Sequence, residues 1–243
     1  TSTYDNAIFT YLSGTGSAQA ETRFGKDLKL EFTKVQDLRY GENPHQKAAF
    51  YRDAAGTNEP SLINASQLHG KELSYNNIMD ADATIEMVGE FASNPYAAVI
   101  VKHANPCGVA ISKTALVDAF AKALACDPVS AFGGIIGLSR ALDEATAKAI
   151  SETFFEVIVA PDYDAKALDI LKTKKNIRLL KIPGLGTPHP LPPPQGGRVW
   201  EGVTLRKVVG GVLIQDRDTS RDDVRASKVV TKRDPTKEEW DGL

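Results

Sequence analysis

The stretch VIVKHANPCGVAI (Val99 to Ile111) decides how the rest of the chain is read. Its lead-in, AAVIV (Ala97 to Val101), has no polar alternation and is too short for a helix. That pattern predicts a strand buried on both faces, as in a parallel sheet. The run ends in Lys102-His103 and breaks into Asn105-Pro106-Cys107-Gly108, which reads as a loop. In open α/β sheets ligands gather at the carboxyl edge of parallel strands, and a strand end is a rigid mount. A helix capped by Ser112 would aim its free N–H groups at this loop and favour an anion there. Neutral imidazole takes a proton near pH 7, and a neighbouring ammonium disfavours a second positive charge and supports a developing negative one. Lys102 and His103 are therefore candidates for proton abstraction and oxyanion support. The plainer reading is that the pair marks where the chain returns to water.

Outward from this strand, helix and strand patterns alternate. Before it, ADATIEMVGEFAS places Ile85, Val88 and Phe91 at helical spacing, with Asp80 available as cap. After it, Leu116, Ala119, Phe120, Ala123 and Leu124 form one apolar stripe. AFGGIIGLS reads as a buried strand in which Gly133-Gly134 lets another backbone come close. LDEATAKAISE reads as a helix capped by Asp143, FFEVIVAP as a strand, DAKALDILKTKK as a helix and NIRLLKI as a strand. This order predicts an α/β fold of three layers, α/β/α, around a mostly parallel sheet with right-handed crossovers.

The flanks are less regular. Residues 1 to 25 read as a helix and a linker, and LKLEFTKVQDLRY and KAAFYR as strands interrupted by the turn residues GENPHQ. Pro183 to Arg198 is Pro/Gly-rich and predicts an exposed loop. LRKVVGGVLIQDRD is strand-like again, and Pro235 opens what reads as a helix start at the end of the sequence, as a fragment or processed product would.

Composition narrows the function classes. A net charge of -2 gives no global attraction to nucleic acid or to an acidic membrane. No apolar run approaches the roughly 20 residues of a membrane helix, and the N-terminal residues lack a signal-peptide pattern. Two cysteines, Cys107 and Cys126, outside any C-x-x-C pair, point to a reduced, cytoplasmic setting and not to a disulfide framework. Gly70-Lys71 fails as a phosphate loop, since Ala65 and Glu72 occupy the positions where Gly and Ser/Thr belong. A zinc deaminase site also fails: Pro106-Cys107 is followed by Gly108-Val109-Ala110 in place of x-x-C, and His103 lacks its glutamate. No metal is expected on this chain.

Two further stretches carry candidate binding groups. In LRYGENPHQ, Arg39 offers the donor fork that suits a phosphate, Tyr40 can stack or hydrogen-bond, and His45 is a turn histidine of the kind that is usually solvated. In LSYNNIMDAD, Asn76 and Asn77 precede a helix, where capping would explain one of them, and beside Tyr75 they suit a planar amide or ring.

Taken together, LRYGENPHQ, GKELSYNNIMDAD, VKHANPCGVA, DPVSAFGGIIG and VVGGVLIQDRD closely resemble the formyltransferase part of the bifunctional aminoimidazole carboxamide ribonucleotide (AICAR) transformylase/IMP cyclohydrolase family. The blocks run in family order from about Leu28 to Lys232. The resemblance implies formyl transfer from the cosubstrate 10-formyltetrahydrofolate to the 5-amino group of AICAR in purine (IMP) biosynthesis. It places His103 as proton acceptor and Lys102 beside the formyl oxygen. It assigns Arg39, Tyr40, Asn77 and Gly210 to the nucleotide site, with His45 in support. It implies paired cytidine-deaminase-like α/β subdomains without zinc, and a homodimer whose sites combine both subunits.

On this reading residues 1–25 resemble the junction to a cyclohydrolase domain, 26–182 form the first transformylase subdomain, 183–198 a loop, and 199–243 the start of a truncated second half. The expected rival is a non-catalytic nucleotide-binding or dimerisation fragment of the same enzyme.

Overall fold

The computed structural model describes residues 28, 30–54, 56–187, 203–216, 228–230, 232–237 and 240. The expectations for residues 1–25, for most of the 183–198 loop and for much of the segment after Asp216 fall outside them. The chain divides into two compact units, Thr1–Pro190 and Leu191–Leu243.

The first unit is built on a six-stranded sheet. Its strands are β3 (Ser66–His69), β4 (Tyr96–Lys102), β5 (Asn105–Ser112), β6 (Ile135–Leu138), β7 (Val157–Ala160) and β8 (Arg178–Lys181), in the order β3-β8-β7-β6-β4-β5. Strands β6, β7 and β8 pair in parallel, while β3 joins β8, and β4 joins both β5 and β6, antiparallel. Four of the six strands, β5 to β8, thus run one way, against β3 and β4.

Helices cover both faces. They are α1 (Tyr75–Glu90), α2 (Leu116–Cys126), the short α3 (Pro128–Ala131), α4 (Glu144–Ser151) and α5 (Ala165–Lys172). Side chains alternate across a strand, so each buried strand feeds two cores. Val99, Val101, Ile135, Val157 and Val159 pack with Ala81, Ile85 and Val88 of α1. Ile100, Ile136, Leu138, Ile158 and Leu179 face the other way, against Leu116, Phe120, Ala147, Ile150 and Leu171 from α2, α4 and α5. The expected three-layer α/β arrangement is therefore present. Phe120 and Phe155 add an edge-to-face pair with centroids 6.0 Å apart.

Apart from the sheet, β1 (Phe32–Leu38) and β2 (Ala48–Asp53) form an antiparallel hairpin, with a bulge between Lys34 and Gln36. In the second unit β9 (Val203–Val208) and β10 (Gly211–Asp216) form another. Gly210 lies in its turn at φ +75°, a conformation glycine takes without steric penalty.

Three local readings are corrected. The Asn105–Gly108 segment is not a loop but the first half of edge strand β5, paired back onto β4. Pro106 is tolerated because an edge strand leaves one side unpaired and a register shift falls at this point. Helix α1 starts at Tyr75 and not after Asp80, because Ser74 and Asn77 close a capping box: the Asn77 N–H donates to Ser74 Oγ at 3.1 Å and the Ser74 N–H donates to Asn77 Oδ1 at 3.2 Å. Helix α2 starts at Leu116 with Ala115 as a side-chain-free cap, while Ser112 ends β5 and its Oγ accepts the Thr114 N–H. Asp143 caps α4 as expected, accepting the Thr146 N–H at 2.7 Å.

Two glycines let neighbouring elements come close, Gly108 to α2 on the sheet face and Gly134 to β4 within the sheet. A Cβ on Gly108 would stand 2.0 Å from the Ala123 carbonyl oxygen of α2, and one on Gly134 would stand 2.8 Å from the Val101 carbonyl oxygen. Gly108→Ala is expected to push α2 off β5 and to cost about 1–3 kcal/mol. Urea unfolding checks this, with a fall in the midpoint at unchanged m-value.

Candidate active site

Strand β4 delivers Lys102 and His103 to one edge of the sheet, but as an antiparallel strand. Val101 pairs with Ile135, the first residue of β6, so this edge carries the amino ends of β6 and β7, not their carboxyl ends. The parallel-strand rule behind the first expectation does not apply here. The α2 argument falls too. Ser112 pairs with Tyr96, so α2 begins at the far end of the β4–β5 hairpin and its N-terminal dipole points elsewhere.

What holds the pair is a tight turn. Lys102 pairs with Asn105, leaving only His103 and Ala104 between the strands. Both take positive φ, 54° and 56°. That is the pattern of a type I′ hairpin turn, usually filled by Asn-Gly or similar residues. Here neither residue is glycine, and the side chain of Asp80 on α1 receives the turn. Its Oδ1 accepts the Ala104 N–H at 2.8 Å and its Oδ2 accepts the His103 N–H at 3.3 Å. The Asn105 side chain donates to the His103 carbonyl at 2.7 Å.

The side chains then diverge. His103 is exposed, while Lys102 is half-buried and its Nζ donates to the Phe132 carbonyl at 2.9 Å. An ammonium carries three donors, so two remain for a ligand. Phe132 follows α3, whose N-cap is Asp127. The Ser130 hydroxyl and N–H both donate to the Asp127 carboxylate, at 2.6 and 2.9 Å, and hold it below its ordinary protonation range. Phe132 also rests against Phe154, ring centroids 5.5 Å apart, and both are exposed. Cys107 donates to the Ile100 carbonyl at 3.4 Å, and burial raises its thiol above the usual value, so it is a neutral packing group at pH 7.

Asn77 reaches the same edge. It is buried, and its Nδ2 donates to Glu156 Oε2 at 2.7 Å, next to the start of β7. The Glu156 N–H in turn donates to the Gly134 carbonyl. Both ends of the Asn77 amide are thus engaged within the chain. Lys102, His103 and Asn77 are thus each tied by a hydrogen bond to a different neighbouring segment, at Phe132, Asp80 and Glu156 respectively.

The other candidates lie elsewhere. Arg39, Tyr40 and His45 sit in the connection of the β1–β2 hairpin, Arg39 and His45 exposed and Tyr40 half-buried. That connection is ordered by the Gly41 N–H to Gln46 carbonyl bond at 2.8 Å and by Asn43 N–H to Gln46 Oε1 at 2.7 Å. An open cleft of about 430 Å³ lies between this hairpin and the sheet, lined by Gln36, Arg52, Leu73 and Ile78 among others. Gly210 belongs to the second unit. Among the described residues no group of three or more His, Cys, Asp or Glu is placed to hold a metal ion, and no helix is long and apolar enough to cross a membrane. Asp80 and the Phe132 carbonyl were not singled out as parts of this site from the sequence. In the sequence Asp80 suits a helix cap, and no local pattern points to the turn it holds.

Two outcomes are expected. Asn77→Ala removes the side-chain half of the α1 capping box, the bond from the Ser74 N–H, and leaves Glu156 Oε2 without its donor, costing about 1–3 kcal/mol in chemical denaturation. Asp127→Asn lowers the melting temperature most above the ordinary carboxylate value of 3.8. Because the folded carboxylate is held below that value, the wild-type advantage is lost as pH falls through its depressed range. Melting curves of both proteins from pH 7 to pH 2 check this.

The AICARFT/IMPCHase bienzyme family profile matches residues 1–243. The bifunctional purine biosynthesis protein PurH of Magnetococcus marinus is 48% identical over 243 residues, covering all of this chain and 44% of that protein. PurH of Myxococcus xanthus is 50% identical over 240 residues, 98% of this chain and 44% of the relative. PurH of Cereibacter sphaeroides is 50% identical over 238 residues, 97% of this chain and 42% of the relative. The chain spans somewhat under half the length of the curated relatives it matches. With its whole length matched and its sequence blocks in family order, the chain belongs to the AICARFT/IMPCHase bienzyme family of purine biosynthesis.

Proposed function

We propose that this chain works as part of a larger enzyme that transfers a formyl group from 10-formyltetrahydrofolate to the 5-amino group of AICAR. The observation that carries this reading is the Lys102-His103 pair: an exposed imidazole and a tethered ammonium on one pinned turn.

The chemistry follows from those two groups. The amine nitrogen attacks the formyl carbon, forming the C–N bond and an oxyanion. The exposed imidazole of His103 accepts the proton that the amine must lose. The Lys102 ammonium, with two donors left over from Phe132, faces the negative charge that grows on the formyl oxygen. Collapse of the tetrahedral species breaks the bond to N10 of the folate, which leaves with a proton as tetrahydrofolate. Arg39 and Tyr40 take the nucleotide's phosphate and ring, with His45 nearby in the same connection. Gly210 is assigned to the nucleotide by the family resemblance of its VVGGVLIQDRD block alone. Asn77 shapes the start of α1 through its bonds to Ser74 and Glu156, and the amide N–H these leave over is its donor to the nucleotide. The folate and nucleotide sites are completed by polypeptide beyond this chain, and the working unit is a homodimer.

In the whole enzyme carrying this chain, His103→Ala is expected to lower kcat for formyl transfer by about 10²–10⁴-fold. Arg39→Ala is expected to raise the dissociation constant for AICAR in calorimetry by about tenfold or more, as loss of a charge-assisted contact does. Full formyl transfer by His103→Ala would overturn the reading.

A further inference from the structure

The turn that carries His103 is unfavourable by itself. Left-handed backbone is disfavoured for residues other than glycine, by roughly 1–2 kcal/mol each, and here two such residues adjoin. Such a conformation persists only where its surroundings impose it. The β4–β5 ladder fixes the hairpin ends. What addresses the turn's own N–H groups is one carboxylate, with one oxygen on each. Asp80 is no cap of its own helix: Ser74 and Asn77 already serve α1. Aspartate in a helix interior is also a poor helix former. It is half-buried, and the bonds it makes reach across to another element.

We infer that Asp80 is a positioning residue for the formyl-transfer site, holding the His103-Ala104 turn so that the imidazole stands where the amine proton must be taken. The inference rests on the functional reading above. It assigns Asp80 no contact with substrate. Lys102 has its own tether on Phe132, so loss of Asp80 releases the histidine more than the lysine. A carboxylate suits this task where an amide does not. Both oxygens accept, whereas Asn would turn an NH2 group toward one of the two N–H donors.

The test uses the whole enzyme and four proteins: Asp80→Asn, Ala104→Gly, the double variant and His103→Ala. Asp80→Asn should lower kcat by about 10–100-fold, as a small misplacement of a catalytic group does, with KM for AICAR changed less than about threefold. Hydrogen exchange at the His103 and Ala104 amides should speed up in the same variant, while exchange in β6 and β7 stays as in wild type. Ala104→Gly alone should leave kcat within a few-fold of wild type. In the double variant glycine takes φ near +56° without help, so part of the lost kcat should return.

The inference is overturned if Asp80→Asn keeps wild-type kcat, if its loss appears in KM alone, or if Ala104→Gly restores nothing. The outcomes also separate the two readings. If His103→Ala retains full formyl transfer, the functional reading itself fails. If His103→Ala is inactive and Asp80→Asn is not impaired, only the role of Asp80 fails.

Discussion

The two-residue connection between β4 and β5 is the constraint on which the site depends. A hairpin this tight needs positive φ at both central positions. His103 and Ala104 supply neither the freedom of glycine nor the self-bonding side chain of asparagine. The conformation is therefore imposed from outside, by the Asp80 carboxylate on one side and the strand ladder on the other. One consequence is chemical. The turn lifts the imidazole out of the sheet into solvent, while the adjacent lysine folds back onto the Phe132 carbonyl. Two neighbours in sequence thereby receive different surroundings and suit different tasks.

That turn is anchored by how the sheet is layered. α1 sits on one face only, over β4, β6 and β7, with Val88 and Thr84 pressed against Gly137, where a Cβ would meet them at 2.4–2.5 Å. This close seat brings the Asp80 turn of α1 down to the end of β4. The opposite face is held by α2 against Gly108. The amino end of β7 completes the edge, since Glu156 receives Asn77 from α1 and bonds Gly134 ahead of β6. Packing on both faces thus converges on one rim, and that rim carries the candidate chemistry.

Much of this architecture was legible in the residues. The uninterrupted apolar runs of β4, β6 and β7, the Leu116–Ala123 stripe and the Asp143 cap each express a local preference that the fold leaves intact. Strand β5 was not legible, because Asn-Pro-Cys-Gly has turn chemistry, and only its place at a sheet edge makes Pro106 acceptable. The start of α1 is ambiguous in the sequence because Asn77 and Asp80 both suit a helix start. The reciprocal bonds with Ser74 decide between them. Short β3 likewise has too few residues for a periodic signal.

By itself, then, the sequence determined the α/β class, the buried strand that ends in Lys102-His103, and membership of a family through its ordered blocks. Those are properties of composition, periodicity and local order, and they survive without knowledge of partners. Only the tertiary structure decided strand direction, the return of the chain as β5, and the use of Asp80. Each of these depends on hydrogen bonds between segments distant in sequence, and no local pattern encodes which backbone N–H a carboxylate 23 or 24 residues away will accept.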